Sequence, residues 1–77
     1  MAQREPIERI VSDPDVAFGK PVVQGTRIPV SIVLGLLADG LTVAELLAEY
    51  PHLTEDDIRA CLAYGALLSG DHLVDLA

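Results

Sequence analysis

Beyond Pro29 the apolar positions follow a helical period, and before it they come in short runs broken by turn residues. Val30 to Asp39 places Ile32, Val33, Leu36 and Leu37 on one stripe, and Gly40 suits the left-handed residue that ends a helix. Thr42 with Glu45 three residues on fits a capping box, and Leu41 and Leu46 occupy the staple positions around it. Val43, Leu46, Leu47 and Tyr50 make the stripe of this second helix, which Pro51 stops. A third start lies at Thr54, with Asp57 three residues on and Leu53 and Ile58 flanking it. Its acidic first turn, Glu55-Asp56-Asp57, complements the positive end of the helix dipole.

The third helix is expected to be apolar around most of its circumference. Ile58, Cys61, Leu62 and Gly65 make a face that packs on the other helices, and Ala60, Ala63, Tyr64 and Leu67 make another. A domain of this size cannot easily bury both faces against itself, so the second set is expected to form a homodimer or partner interface. The alternative is that the N-terminal strands cover that face.

Before Pro29, Ile7, Ile10 and Val11 are stopped by Ser12-Asp13-Pro14-Asp15, a turn composition. Val22 and Val23 precede Gln24-Gly25-Thr26, and Arg27-Ile28 follow. The pattern predicts two or three short strands with a tight turn at Gly25. The expected fold class is therefore mainly α, a three-helix bundle of helix-turn-helix type with short N-terminal β-strands. One domain is expected over residues 1–77: strands and turns over 1–29, the bundle over 30–68, and a tail over 69–77 that keeps Leu73, Val74 and Leu76.

Composition narrows the class. At 77 residues, 51% hydrophobic with a single cysteine, the chain has material for one small core and no intramolecular disulfide to staple it. No apolar run approaches the roughly 18 to 20 residues of a membrane span, and Met1 to Arg9 lacks the apolar core of a signal peptide. A cytoplasmic location is expected. The formal charge of -7 is the wrong sign for bulk attraction to nucleic acid. It is also unevenly placed. Up to Pro29 four basic residues balance four acidic ones, whereas Arg59 alone opposes eight acids afterwards. Two surfaces with different partners are one explanation, and acidic helix faces without function are the other.

Little here suggests catalysis. His52 and His72 stand in no metal-ligand spacing, and Cys61 lies on a core face where a thiol is inert. Gly19-Lys20-Pro21 puts proline where a phosphate loop would open a helix. No nucleophile, base and oxyanion site assemble, so no enzyme activity, metal or cofactor is expected. Thr42 to Leu62 instead has the shape of a helix-turn-helix, whose second helix normally enters the DNA major groove. At that surface stand Thr54, Glu55, Asp56, Asp57 and Arg59, and three carboxylates would repel phosphates. Any nucleic-acid contact is therefore expected from Arg4, Arg9, Lys20 and Arg27, with Arg59 the one helical cation.

The stretch Asp13-Pro14-Asp15-Val16-Ala17-Phe18-Gly19-Lys20-Pro21, continuing through Gly25-Thr26-Arg27-Ile28-Pro29-Val30, resembles the signature of a family of short prokaryotic proteins. That family is catalogued as a domain of unknown function, number four hundred and thirty-three in its series. The resemblance runs from this Asp-Pro turn to Tyr64, and Gly19, Pro21, Gly25, Thr26, Arg27 and Pro29 carry its structural motif. It implies a homeodomain-like three-helix domain and a role as a VapB-type antitoxin. Such a protein would bind and inhibit a PIN-like nuclease toxin and repress its own operon at operator DNA. Gln24 departs from the family's habit of Arg or Lys there, which weakens a nucleic-acid patch at the turn.

Arg27 suits two roles equally. Its forked guanidinium could lock onto Asp13 or Asp15, or contact a phosphate or a partner's carboxylate. Three functions follow as expectations: a toxin-binding antitoxin, a dimeric DNA-binding regulator, and a non-catalytic assembly module.

Overall fold

The computed structural model describes residues 6–70. A 3-10 turn, Pro6–Arg9, leads into strand β1, Ile10–Val11, and a second short 3-10 turn spans Ala17–Gly19. Strand β2 follows at Val22–Val23, and then helices α1 (Val30–Ala38), α2 (Val43–Glu49) and α3 (Glu55–Ser69). The two strands pair antiparallel, Ile10 with Val23 and Val11 with Val22. The architecture is thus mainly helical, with three helices and one short two-stranded sheet.

The Gly25 turn forms as the sequence predicts. Gly25 has φ +81°, with no atom within 4 Å of where a Cβ would stand, so its backbone angle and not space selects glycine. Beyond the turn the chain doubles back: Val23 N–H donates to the Ile28 carbonyl at 3.1 Å, and Val22 bridges to Pro29. Val30 N–H then donates to the Pro21 carbonyl at 3.0 Å, which fixes how α1 leaves the sheet.

That anchor corrects the expected stripe of α1. Val30 and Val33 are buried, and Leu34 and Leu37 pack partly buried against the same core. This is the i, i+3, i+4, i+7 spacing counted from Val30, which the Pro21 bond turns inward. Ile32, expected on the stripe, is instead exposed. Leu36 keeps its expected inward lean. Gly40, at φ +104°, ends α1 in a Schellman arrangement: Gly40 N–H donates to the Leu37 carbonyl and Leu41 N–H to the Leu36 carbonyl.

Both capping boxes are present. The Thr42 hydroxyl accepts from Glu45 N–H, and the Glu45 carboxylate accepts from Thr42 N–H. Thr54 and Asp57 repeat the exchange at the start of α3. Leu46, Leu53, Ile58 and Cys61 close the core with Val23, Val30 and Val33, and Leu41 leans on it.

Helix α3 corrects the sequence reading at two points. Leu62, expected to pack inward, is exposed, and Ala60, expected on an outer interface, is fully buried. The reason is the N-terminal segment. The first 3-10 turn and β1 both pack along α3 and draw the buried arc around to Asp57, Ile58, Ala60 and Cys61. Leu62 faces away from that arc. Toward the end of the helix Leu67 and Leu68 are about two-thirds exposed. No described helix is long and apolar enough to cross a membrane.

Candidate functional site

The cations expected to contact nucleic acid fall into two groups. Arg9, at the end of the first 3-10 turn, reaches across to the start of α3. Its guanidinium donates to Asp57 Oδ1 at 3.0 Å and lies 3.7 Å from Asp56 Oδ2. Arg59 donates to Asp56 Oδ1 at 2.9 Å within the same helix. Two of the expected cations are therefore matched to the very carboxylates that open α3. Lys20 and Arg27 are exposed, and among the described residues neither forms an ion pair. The anticipated lock between Arg27 and Asp13 or Asp15 is not made. Arg4 lies outside the described residues.

Asp57 is the centre of this arrangement. Its side chain is only 10% exposed, and its two oxygens serve different partners. Oδ2 accepts from Thr54 N–H to complete the cap, while Oδ1 accepts from Arg9. A buried carboxylate needs such matching, because an unpaired one would be strongly disfavoured. The Asp57 charge also acts on its neighbour. Burial, with Asp57 adding to it, pushes the Cys61 thiol from 9.0 up to about 11. The thiol therefore stays protonated and unreactive at neutral pH.

Thr26 holds the family-like motif together. Its hydroxyl donates to the Val23 carbonyl at 2.7 Å and accepts from Ile28 N–H at 3.0 Å. Pro21 supplies the carbonyl that receives Val30, and Pro29 stands at the N-cap of α1. Gly25, Thr26, Pro21 and Pro29 thus shape the hairpin and its junction with α1, and Arg27 projects from it exposed.

The turn before it contains a feature that periodicity did not signal. Asp13 Oδ1 accepts from Asp15 N–H, and Val16 N–H donates to the Asp13 carbonyl, winding the chain tightly. Ala17, Phe18 and Gly19 then adopt φ of +51°, +59° and +82° in succession. Left-handed backbone costs a residue bearing a Cβ roughly 1–2 kcal/mol, and two such residues stand side by side. The outcome is a Phe18 ring 98% exposed, although burying such a ring is worth about 1.5–3 kcal/mol. The only clue in the sequence is an aromatic residue directly before Gly19 in an Asp-Pro turn.

Between α2 and α3 lies a shallow concavity of about 230 Å³, lined by Val43, Glu55, Ile58, Arg59 and Leu62. Of the residues expected at a partner interface, Ala63 and Tyr64 are half-buried and Leu67 is exposed, while Ala60 belongs to the interior. Among the described residues no group of three or more His, Cys, Asp or Glu side chains is placed to hold a metal ion.

Comparison with known proteins covers the whole motif and a few residues beyond it. A family model described as "Protein of unknown function (DUF433)" matches residues 10–65. An uncharacterized protein, y4eO, of Sinorhizobium fredii (strain NBRC 101917 / NGR234) is 40% identical over 57 residues, 74% of this chain. The match spans only 26% of that relative's length. The crystal structure of a DUF433 member protein from Anabaena variabilis ATCC 29413 superposes with a TM-score of 0.69 at 38% identity. It covers 73% of this chain and 55% of the other.

Proposed function

Since the chain belongs to the DUF433 family, whose description assigns no activity, we propose from its own surface chemistry that it is a non-catalytic, antitoxin-like protein of the VapB type. In this reading it works in the cytoplasm as a homodimer, and it binds and neutralises a PIN-like nuclease. The observation that carries the reading is the state of its charges. Asp39, Glu45, Glu49 and Glu55 are exposed on or beside the helices, while Arg9 and Arg59 are paired with Asp56 and Asp57. A surface of this sign suits a cationic protein cleft, such as one that binds RNA, far better than a nucleic acid.

The test is co-expression with the product of the adjacent gene. The expected result is a complex that survives size-exclusion chromatography and abolishes the neighbour's ribonuclease activity. A neighbour that is no nuclease, or that elutes separately, would overturn the reading.

A second reading is supported by the two capping boxes that bracket the turn between α2 and α3. This pair is proposed as a homeodomain-like helix-turn-helix through which the dimer represses its own operon. The acidic start of α3 opposes groove entry, so contact would come from Lys20 and Arg27. Gel-shift titration of the upstream region at two salt concentrations decides it. Specific retardation that weakens with salt is expected, and none at low salt would exclude the role.

A further inference from the structure

The segment from Pro6 to Val11 is an arm laid on the rest of the chain. β1 pairs with β2, Arg9 binds Asp57 and Asp56 at the start of α3, and Ile10 packs partly buried against the core. A second copy presents the same receiving surface. Residues 12–20 join the arm to this body, and part of the connection is wound with the wrong hand. Ala17, Phe18 and Gly19 have φ of +51°, +59° and +82°, closed by bonds from Gly19 N–H to the Val16 carbonyl and from Lys20 N–H to the Ala17 carbonyl. Ala17 and Phe18 carry the Cβ that disfavours such a turn. Unwinding it forfeits little. No residue from 12 to 20 is buried, and the Phe18 ring is already 98% exposed. Pro14 and Pro21 favour the extended alternative, because the residue before a proline avoids the helical region.

We propose that this turn is a strained hinge through which two copies exchange arms. The hinge extends, and each arm docks on the β2 and α3 of the other chain, the Arg9 of each on the Asp57 of the other. The proposal rests on the homodimer reading and names what holds the two copies together. Reach permits it: nine extended residues span about 30 Å, and the two shorter dimensions of the molecule are 28 Å. Every contact the arm makes at home is available on the other body. The balance is therefore between the left-handed residues relieved in both chains and the freedom lost on association. The occupant follows from what already covers this surface, which is the chain's own arm. Leu67 and Leu68 stay exposed with the arm in place and remain available to the same dimer.

Sedimentation velocity gives the dimer dissociation constant for the intact protein and its variants. Phe18→Gly removes the penalty of the left-handed turn and favours the closed arm, so it should weaken the dimer roughly 10-fold or more. Phe18→Ala removes the ring but keeps the Cβ, and should leave the constant unchanged. The position of the arm is read from a disulfide. Gln24 N–H donates to the Arg9 carbonyl at 2.7 Å and both residues are exposed, so Arg9→Cys with Gln24→Cys places two thiols opposite each other across the sheet. Losing the Arg9 ion pair weakens home and exchanged docking alike. After oxidation a non-reducing gel should show a covalent dimer that neither single variant gives, since Cys61 is buried. A dimer whose gel shows only monomer overturns exchange and leaves the homodimer reading standing. So does a Phe18→Gly constant equal to that of the intact protein, or equal weakening by Phe18→Ala. If the intact protein sediments as a monomer throughout, both fall.

Discussion

The hydroxyl of Thr26 closes the hairpin by donating to the Val23 carbonyl and accepting from Ile28 N–H. Thr26→Val keeps the shape and removes both bonds, so a loss of about 1–3 kcal/mol is expected in urea unfolding. Beside it, Gly25→Ala meets no neighbouring atom and should still cost roughly 1–2 kcal/mol, since the φ of +81° is the obstacle. Cys61 gives a pH prediction. Its folded thiol titrates near 11, above the 9.0 of an exposed thiol, so both states hold the proton below that lower value. As pH rises from 9.0 toward about 11 the unfolded chain releases the proton first, and stability falls by roughly 1.4 kcal/mol per pH unit. Unfolding curves across this window should show a slope that Cys61→Ala removes. A thiol reagent at neutral pH should label the folded protein far more slowly than the denatured one.

At the scale of elements, α3 is tied at its start to a residue 48 positions earlier. Asp57→Ala would remove a cap acceptor and leave Arg9 without its closest partner, so about 2–4 kcal/mol should be lost. Arg9→Ala should cost less, because its side chain is nearly half exposed and solvent screens it. Asp57→Asn, which can still accept from Thr54 N–H, should fall between them; chemical denaturation of the three variants gives the order. What the sequence disclosed, and what it hid, divides along these lines. The capping boxes at Thr42 and Thr54, the Gly25 turn and the Gly40 stop are local chemistry within a few residues, and all were legible. Val33, Leu36 and Leu37 of the α1 stripe were legible too, but the burial of Val30 and the exposure of Ile32 were not, because a bond from Val30 to Pro21 fixes how the helix starts. Ala60 was misplaced for a similar reason: periodicity shows that a face is apolar but not which neighbour covers it. The Arg9–Asp57 pair depends on where the chain returns, and the exposure of Phe18 on a left-handed run of backbone; no apolar spacing records either.

Among the described residues, one exposed apolar pair lies toward the far end of α3, where Leu67 and Leu68 stand beside half-buried Ala63 and Tyr64. Under the proposed homodimer reading, Leu67→Glu in this face should lower the association state seen in sedimentation velocity. An unchanged association state would move the dimer contact elsewhere. Under the proposed antitoxin reading, the charge pattern sets a complementary expectation, that association with a nuclease slows as salt rises. The clasp from Arg9 to Asp57 also bears on biogenesis. During synthesis the first 3-10 turn and β1 leave the ribosome long before α3 exists, so Val23 and Ile10 wait without their helical cover. Among the described elements, the last one made locks the first. A nascent chain arrested before Thr54 should therefore be degraded readily, and protease resistance should appear abruptly once α3 has emerged.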